Sequence, residues 1–284
     1  MTQDLPLPFG AIDTHFHLFG PARDFPYAPG RDYTPADATV EDYIALARRL
    51  GFSRSVIIQP SVYGTDNSRT LSALEDRPMP MRGIVVVDRS VSHAELERMH
   101  GLGVRGIRIN LLFGAGAGWD TARHLAPKLR EMGWHIQFLV DVSTIADLRR
   151  RVMELAVPTV FDHLGHVPVS RGLKDPGFEA LLALLKDDLC WVKLSGTYRI
   201  TGETTAPYRD VAPFARALMQ ANPDHVVWAT DWPHPAIRVP MPDDAVLARM
   251  TLDWTADAEM RQKLFVTNAE RLYGFDRLPR EAPQ

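Results

Sequence analysis

The chain alternates between short apolar, β-branched runs and longer stretches whose apolar residues fall at helical spacing. Runs of the first kind lie at 11–17, 55–60, 83–88, 106–110, 135–141, 158–163, 190–196 and 225–231. Several lack any in/out alternation, as in Val85-Val86-Val87 and Phe138-Leu139-Val140, the pattern of parallel strands covered on both faces. Between them, Tyr43, Leu46, Ala47 and Leu50, and again Phe178, Leu181, Leu182 and Leu185, share one face of a 3.6-residue helix. Eight strands alternating with helices predict an α/β fold, a single (β/α)8 TIM-like barrel. Residues 20–35 and 114–118, rich in Gly or Pro, are predicted loops after the first and fourth strands, at the end where such barrels keep their chemistry.

Length and composition fit that prediction. At 284 residues, with no internal repeat or Ser/Gly linker, the chain is expected to form one domain over 1–284 with short flexible ends. Hydrophobic residues at 45% and charged residues at 24% supply an ordinary globular core. A net charge of -3 without Lys/Arg blocks argues against nucleic acid as a partner. No apolar run reaches the roughly 18 residues of a membrane span, and the N-terminus lacks a signal-peptide pattern, so neither membrane nor export is expected and the location read is cytoplasmic. The lone Cys190 has no disulfide partner and reads as a small buried side chain. These features leave a homo-oligomer open.

The reactive residues gather at predicted strand ends. His15 and His17 end the first strand, where alternate side chains share a face. Arg108 and Asn110 end the fourth and share an inward direction, His163 ends the sixth, Arg199 follows the seventh and Asp231 ends the eighth. Any one of these has an ordinary structural explanation, such as a satisfied histidine or an arginine in a rim salt bridge. Together they define a barrel active site, because structural residues have no reason to select C-terminal strand ends repeatedly. Around them, Tyr198 is placed to line the pocket, and His234 to orient Asp231 or cap its loop. Tyr33 reads as a substrate contact or a loop staple. Thr65, Asp66 and Asn67 precede a helical pattern and read first as caps, with substrate contact second. His93, His100, His124 and His225 read as solvated or structural.

Ile12-Asp13-Thr14-His15-Phe16-His17, Phe161-Asp162-His163-Leu164-Gly165 and Thr230-Asp231-Trp232-Pro233-His234 resemble the signatures of the amidohydrolase superfamily, in its amidohydrolase-2 branch. Phe19-Gly20-Pro21, Phe25-Pro26-Tyr27, Gly64-Thr65-Asp66-Asn67, Arg105-Gly106-Ile107-Arg108 and Val266-Thr267-Asn268 bring the chain nearest to the pyrone-dicarboxylate lactonase group of that branch. The resemblance spans nearly the whole chain. It implies metal-independent hydrolysis of a small-molecule lactone, without a cofactor, in aromatic or sugar-acid catabolism. Asp231 is then the general base on water, and His15, His17 and His163 surround the attacked carbonyl oxygen.

Zinc on His15, His17 and Asp231 is the rival reading of the same residues, giving a zinc-dependent hydrolase or decarboxylase. Against it, the fifth strand offers Gln137, Phe138 and Leu139 where metal-binding relatives often place a ligand, and His135 falls at that strand's start. Outside catalysis, the alternative is a small-molecule-binding barrel. The resemblance also implies that Arg108 and Arg199 grip a substrate carboxylate, while the position of a third arginine falls at Gly114. One carboxylate, or a more neutral lactone, is therefore expected rather than a dicarboxylate.

Overall fold

The structure, a computed structural model, describes residues 7–112 and 118–278. Strands β1 (Ile12–Phe16), β2 (Arg54–Ile58), β3 (Met81–Val85), β4 (Val104–Asn110), β5 (His135–Leu139), β6 (Thr159–Phe161), β7 (Trp191–Leu194) and β8 (Val226–Trp228) form one sheet in chain order. Neighbours pair in parallel throughout. Helices α1 (Val40–Leu50), α2 (Ser68–Asp76), α3 (His93–Leu102), α4 (Trp119–Glu131), α5 (Leu148–Leu155), α6 (Pro176–Lys186) and α7 (Ala212–Ala221) follow successive strands, and α8 (Asp244–Met250) follows β8. The (β/α)8 barrel expected from the sequence is present. Among the described residues, no helix is long and apolar enough to cross a membrane.

Local chemistry accounts for the elements. Helix α1 starts at a capping box in which the Thr39 side chain accepts from the Asp42 amide and the Asp42 carboxylate accepts from the Thr39 amide. It stops at Gly51, which adopts the left-handed conformation that lets its amide reach the Ala47 and Arg48 carbonyls. Tyr43, Leu46, Ala47 and Leu50 are its buried face, as their spacing predicts. That face joins an apolar layer between sheet and helices, with Phe16, Ile57, Phe138 and Leu181. A smaller apolar cluster fills the barrel interior, where Ile12, Val56, Ile58, Ile84, Val160 and Val227 meet Tyr273 and Phe275 of the C-terminal segment.

The last and first strands meet by a different device. No ladder joins β8 to β1; a single bridge links Phe16 to Trp232. The His17 amide donates to the Trp232 carbonyl at 2.8 Å, and the Asp231 amide to the His15 carbonyl at 2.9 Å. The Thr14 hydroxyl donates to the Trp228 carbonyl at 2.8 Å, and Asp13 adds the largest set of side-chain bonds across the seam. Its carboxylate accepts from the Thr230 hydroxyl at 2.6 Å, the Thr230 amide at 3.0 Å, the Tyr43 hydroxyl at 3.0 Å and the His15 amide at 3.2 Å. Burial pushes this carboxyl up to about 6, against the pull of those hydrogen bonds.

Replacing Asp13 by Ala strands four buried or nearly buried donors. The expected cost is on the order of 3 kcal/mol or more in urea unfolding, against about 1 kcal/mol for Tyr43→Phe, which removes one.

Candidate active site

Simple alternation along β1 does not place both imidazoles at the barrel mouth. Ile12 points into the barrel interior, so an unbroken strand would send Thr14 and Phe16 the same way. The register instead slips between Asp13 and Phe16. Both of those residues therefore reach Tyr43 on α1: Asp13 by its hydrogen bond, and Phe16 by ring stacking at 3.5 Å between centroids. The slip turns His15 and His17 inward together. At β6 and β8 the ladder ends at Phe161 and Trp228, and His163 (φ 51°) and Asp231 (φ 63°) just beyond sit in the left-handed region.

The four side chains converge. His15 Nε2 lies 3.2 Å from His17 Nε2, and each of these nitrogens lies 3.6 Å from Asp231 Oδ1. His163 Nε2 lies 3.7 Å from Asp231 Oδ2. All four residues are at most 2% exposed.

Asp231 is asymmetric. Its Oδ2 accepts from the Tyr198 hydroxyl at 2.5 Å and from Arg199 Nε at 2.8 Å. Its Oδ1 has no hydrogen-bond partner among the described residues. Burial alone would raise this carboxyl, but the Arg199 guanidinium and the neighbouring imidazoles outweigh it and hold the group well below the usual carboxylate range. Asp231 is thus ionised. Tyr198, raised well above its ordinary value chiefly by burial, stays a phenol and a donor.

Burial drives the imidazoles the other way. His15 falls well below its ordinary value, His17 falls, and His163 falls to about 3, so all three are neutral near pH 7. A neutral imidazole carries one proton. His17 Nδ1 lies 2.8 Å from the Ile58 carbonyl, which can only accept, so its proton is there and its Nε2 is bare. His17 Nε2 is therefore an acceptor in this tautomer. His163 Nδ1 lies 2.9 Å from the Ser195 hydroxyl, which can donate to it and leave the proton on Nε2.

A second buried carboxylate underlies the first. Asp162 Oδ2 accepts from Gln137 Nε2 at 3.1 Å and Arg108 Nη2 at 3.2 Å, while its Oδ1 lies 3.4 Å from His15 Nδ1 and 3.8 Å from Lys193 Nζ. Burial opposes its ionisation, yet His15, Lys193 and Arg108 together hold it well below the usual range. Lys193 is pulled down to about 8 by burial, with Asp162 opposing. Neither group stands out in the site reading of the sequence, although a lysine inside the apolar run 190–196 is a visible anomaly.

The cavity over this cluster is lined by His17, Arg108, Asn110, His163 and Arg199, with Tyr33, Ser61, Leu139, Pro235 and Ala236 at its sides. It is tight, with about 20 Å³ open to the centre of a water. Arg108 and Arg199 are there as expected, but both already face carboxylates, Asp162 and Asp231. Tyr198 and His234 stand behind Asp231 instead of lining the pocket. His234 Nδ1 lies 3.0 Å from the Tyr198 oxygen, and its Nε2 lies 3.1 Å from Asp244. Thr65 is exposed in a separate groove with Asp66 and Asp88. Asn67 makes no cap: its amide group donates to the Thr65 and Val86 carbonyls and accepts from the Val86 amide, tying this loop to β3. Gly114 lies outside the described residues.

His15, His17 and Asp231 each bring one ligand atom within 4.8 Å of the others. Their separations match the edge of a tetrahedron with metal–ligand bonds of about 2.1 Å. The unpartnered Oδ1 and the bare His17 Nε2 are donors of the type zinc takes, so this set fits one zinc ion.

Arg199 is the fixed charge that keeps Asp231 ionised. In Arg199→Met, burial is left to dominate and the Asp231 carboxyl is expected to titrate at higher pH, measured by ¹³C NMR of the aspartate carboxyls.

The amidohydrolase family model matches residues 12–275. A 2-pyrone-4,6-dicarboxylate hydrolase of Comamonas testosteroni is 37% identical over 94% of this chain and 91% of its own length. A 4-sulfomuconolactone hydrolase of Rhizobium radiobacter is 38% identical over 94% and 91%. Among solved structures, one described as a putative 2-pyrone-4,6-dicarboxylic acid hydrolase from Pseudomonas putida superposes with a TM-score of 0.81 at 34% identity, covering 96% of this chain and all of that one. With strand-end histidines and a strand-end aspartate gathered at the mouth of a (β/α)8 barrel, and a family match from the first strand to the last helix, this chain belongs to the amidohydrolase family.

Proposed function

We propose that the protein opens the ring of a carboxylated lactone by hydrolysis, with Asp231 as the base on the attacking water. The asymmetry of Asp231 carries this proposal. One oxygen is locked by Tyr198 and Arg199, and the other is buried, ionised and without a hydrogen-bond partner among the described residues, 3.6 Å from His17, which lines the cavity. An oxygen in that state is suited to take a proton from water. Water would attack the lactone carbonyl as Asp231 Oδ1 accepts its proton. The oxyanion that forms would be met by imidazole N–H groups, with His163 Nε2 the clearest donor. The same proton then passes to the ring oxygen as the carbon–oxygen bond breaks, leaving a hydroxyl and a carboxylic acid, which releases water's other proton to solvent as it ionises.

An anionic substrate is supported by Arg108, whose guanidinium lines the cavity. Arg108 Nε is buried and has no hydrogen-bond partner among the described residues. The similar pyrone and sulfomuconolactone hydrolases are named for anionic lactones as well. The zinc fit described above favours a second route: held by His15, His17 and Asp231, the metal would polarise the carbonyl and acidify its water.

Asp231→Asn is expected to lower kcat about a thousandfold on the best carboxylated lactone found in a proton-release screen of pyrone, muconolactone and sugar-acid lactones. Full turnover in that variant would remove Asp231 from the role of base. Arg108→Ala should raise KM for carboxylated lactones tenfold or more, roughly the loss of one charge-assisted contact, with a smaller effect on kcat. Chelator-treated, metal-free protein should keep its turnover; loss restored by zinc would assign the site to the metal route.

A further inference from the structure

Lys193 is a full charge in the interior of a buried strand, and the chemistry above does not use it. Its Nζ donates to the Thr14 carbonyl at 2.8 Å and lies 3.3 Å from His15 Nδ1 and 3.8 Å from Asp162 Oδ1. An ammonium has three protons and no lone pair, so toward the Thr14 carbonyl and His15 Nδ1 it can only donate, while Asp162 Oδ1 stands beside it as an ion-pair partner without a hydrogen bond.

The tautomers follow in sequence from a fixed point. The Ile58 carbonyl holds the His17 proton on Nδ1, leaving His17 Nε2 as an acceptor. The 3.2 Å contact between His15 Nε2 and His17 Nε2 is then a hydrogen bond only if His15 carries its proton on Nε2. That leaves His15 Nδ1 bare. Of its two near neighbours, Asp162 Oδ1 at 3.4 Å has no proton to give, and Lys193 has.

We propose that Lys193 is a positioning residue that sets the tautomer of His15, keeping the proton on Nε2 and so keeping this imidazole a hydrogen-bond donor at the reaction centre. Asp162 Oδ1 lies 3.4 Å from the imidazole nitrogen and 3.8 Å from the ammonium, so carboxylate and ammonium compete at His15 Nδ1, and in this proposal the ammonium prevails. Without the ammonium, Asp162 becomes the nearest partner of Nδ1 and draws the proton there. His15 Nε2, His17 Nε2 and Asp231 Oδ1 would then present three lone pairs to one another, a receptor for a cation in place of a donor for an oxyanion. Lys193 thus biases this triplet away from metal binding.

The catalytic consequence rests on the lactone-hydrolysis proposal, whereas the tautomer is measurable in the resting protein. Long-range ¹H–¹⁵N correlation spectra of the imidazoles should place the His15 proton on Nε2 in the unmodified protein and in Asp162→Asn. In Lys193→Met the proton should move to Nδ1, and calorimetry should show zinc binding tightened about tenfold or more. On a lactone substrate, Lys193→Met should lower kcat about a hundredfold with little change in KM, the loss of one oxyanion donor. A His15 proton on Nδ1 in the unmodified protein, or one displaced by Asp162→Asn, overturns the assignment, and both spectra are independent of how Lys193→Met folds. Correct spectra with no turnover on any lactone would instead count against the hydrolase proposal alone.

Discussion

Everything at the mouth of this barrel depends on how its two ends are joined. Eight strands pair in order, but β8 and β1 share no ladder, and a barrel left open there would separate the aspartate of the last strand from the histidines of the first. Asp13 closes the gap with a side chain. One carboxylate accepts from the backbone of His15 and from the backbone and hydroxyl of Thr230, the residues next to Phe16 and Asp231. A side chain is used here because the ladder has been given up: the register slip in β1 and the left-handed turn at Asp231 both spoil regular pairing, and both are needed to aim the reactive groups.

The site above that seam is electrostatically dense. Two carboxylates and three cations lie within a few ångströms, nearly all removed from water. Burying ions is unfavourable unless each is paired and hydrogen-bonded, so such a cluster contributes little to stability by itself. The apolar layers on either side of the sheet supply the stability, and the cluster uses it to hold its charges in fixed geometry. The arrangement also separates tasks. Cations fix the carboxylates as ions, burial keeps the imidazoles neutral, and the seam holds the two sets in contact.

Much of this was legible in the chain. The eight runs fall where the strands are, displaced by a few residues at their ends, because the runs extend into the segments that leave the ladder to carry site residues. His15, His17, His163 and Asp231 converge, since strand ends of a parallel barrel point one way. The motif His15-Phe16-His17 was readable, but its inward aim comes from the slip before Phe16, which no alternation pattern encodes. Arg108 and Arg199 were readable as cavity groups; that each is already engaged by a carboxylate was not. His234 was readable as a residue that orients Asp231 or caps its loop, and Tyr198 as a pocket residue; the structure has Tyr198 bonded to Asp231 and His234 to Tyr198. Thr65, read first as part of a cap and second as a substrate contact, lies in a separate groove with Asp66 and Asp88.

What the sequence determined by itself is the set of elements and the residue types available at strand ends, because hydrophobic periodicity and local capping act over a few residues. What the tertiary structure decided is which proton sits on which nitrogen and which charge faces which. Ile58, Asp162, Lys193 and Ser195 come from three strands, β2, β6 and β7, or their ends, and their contacts with the histidines exist only once those strands are brought together with β1 and β6. Hydrogen bonds and Coulomb forces between such groups act over ångströms in space, whatever their separation along the chain.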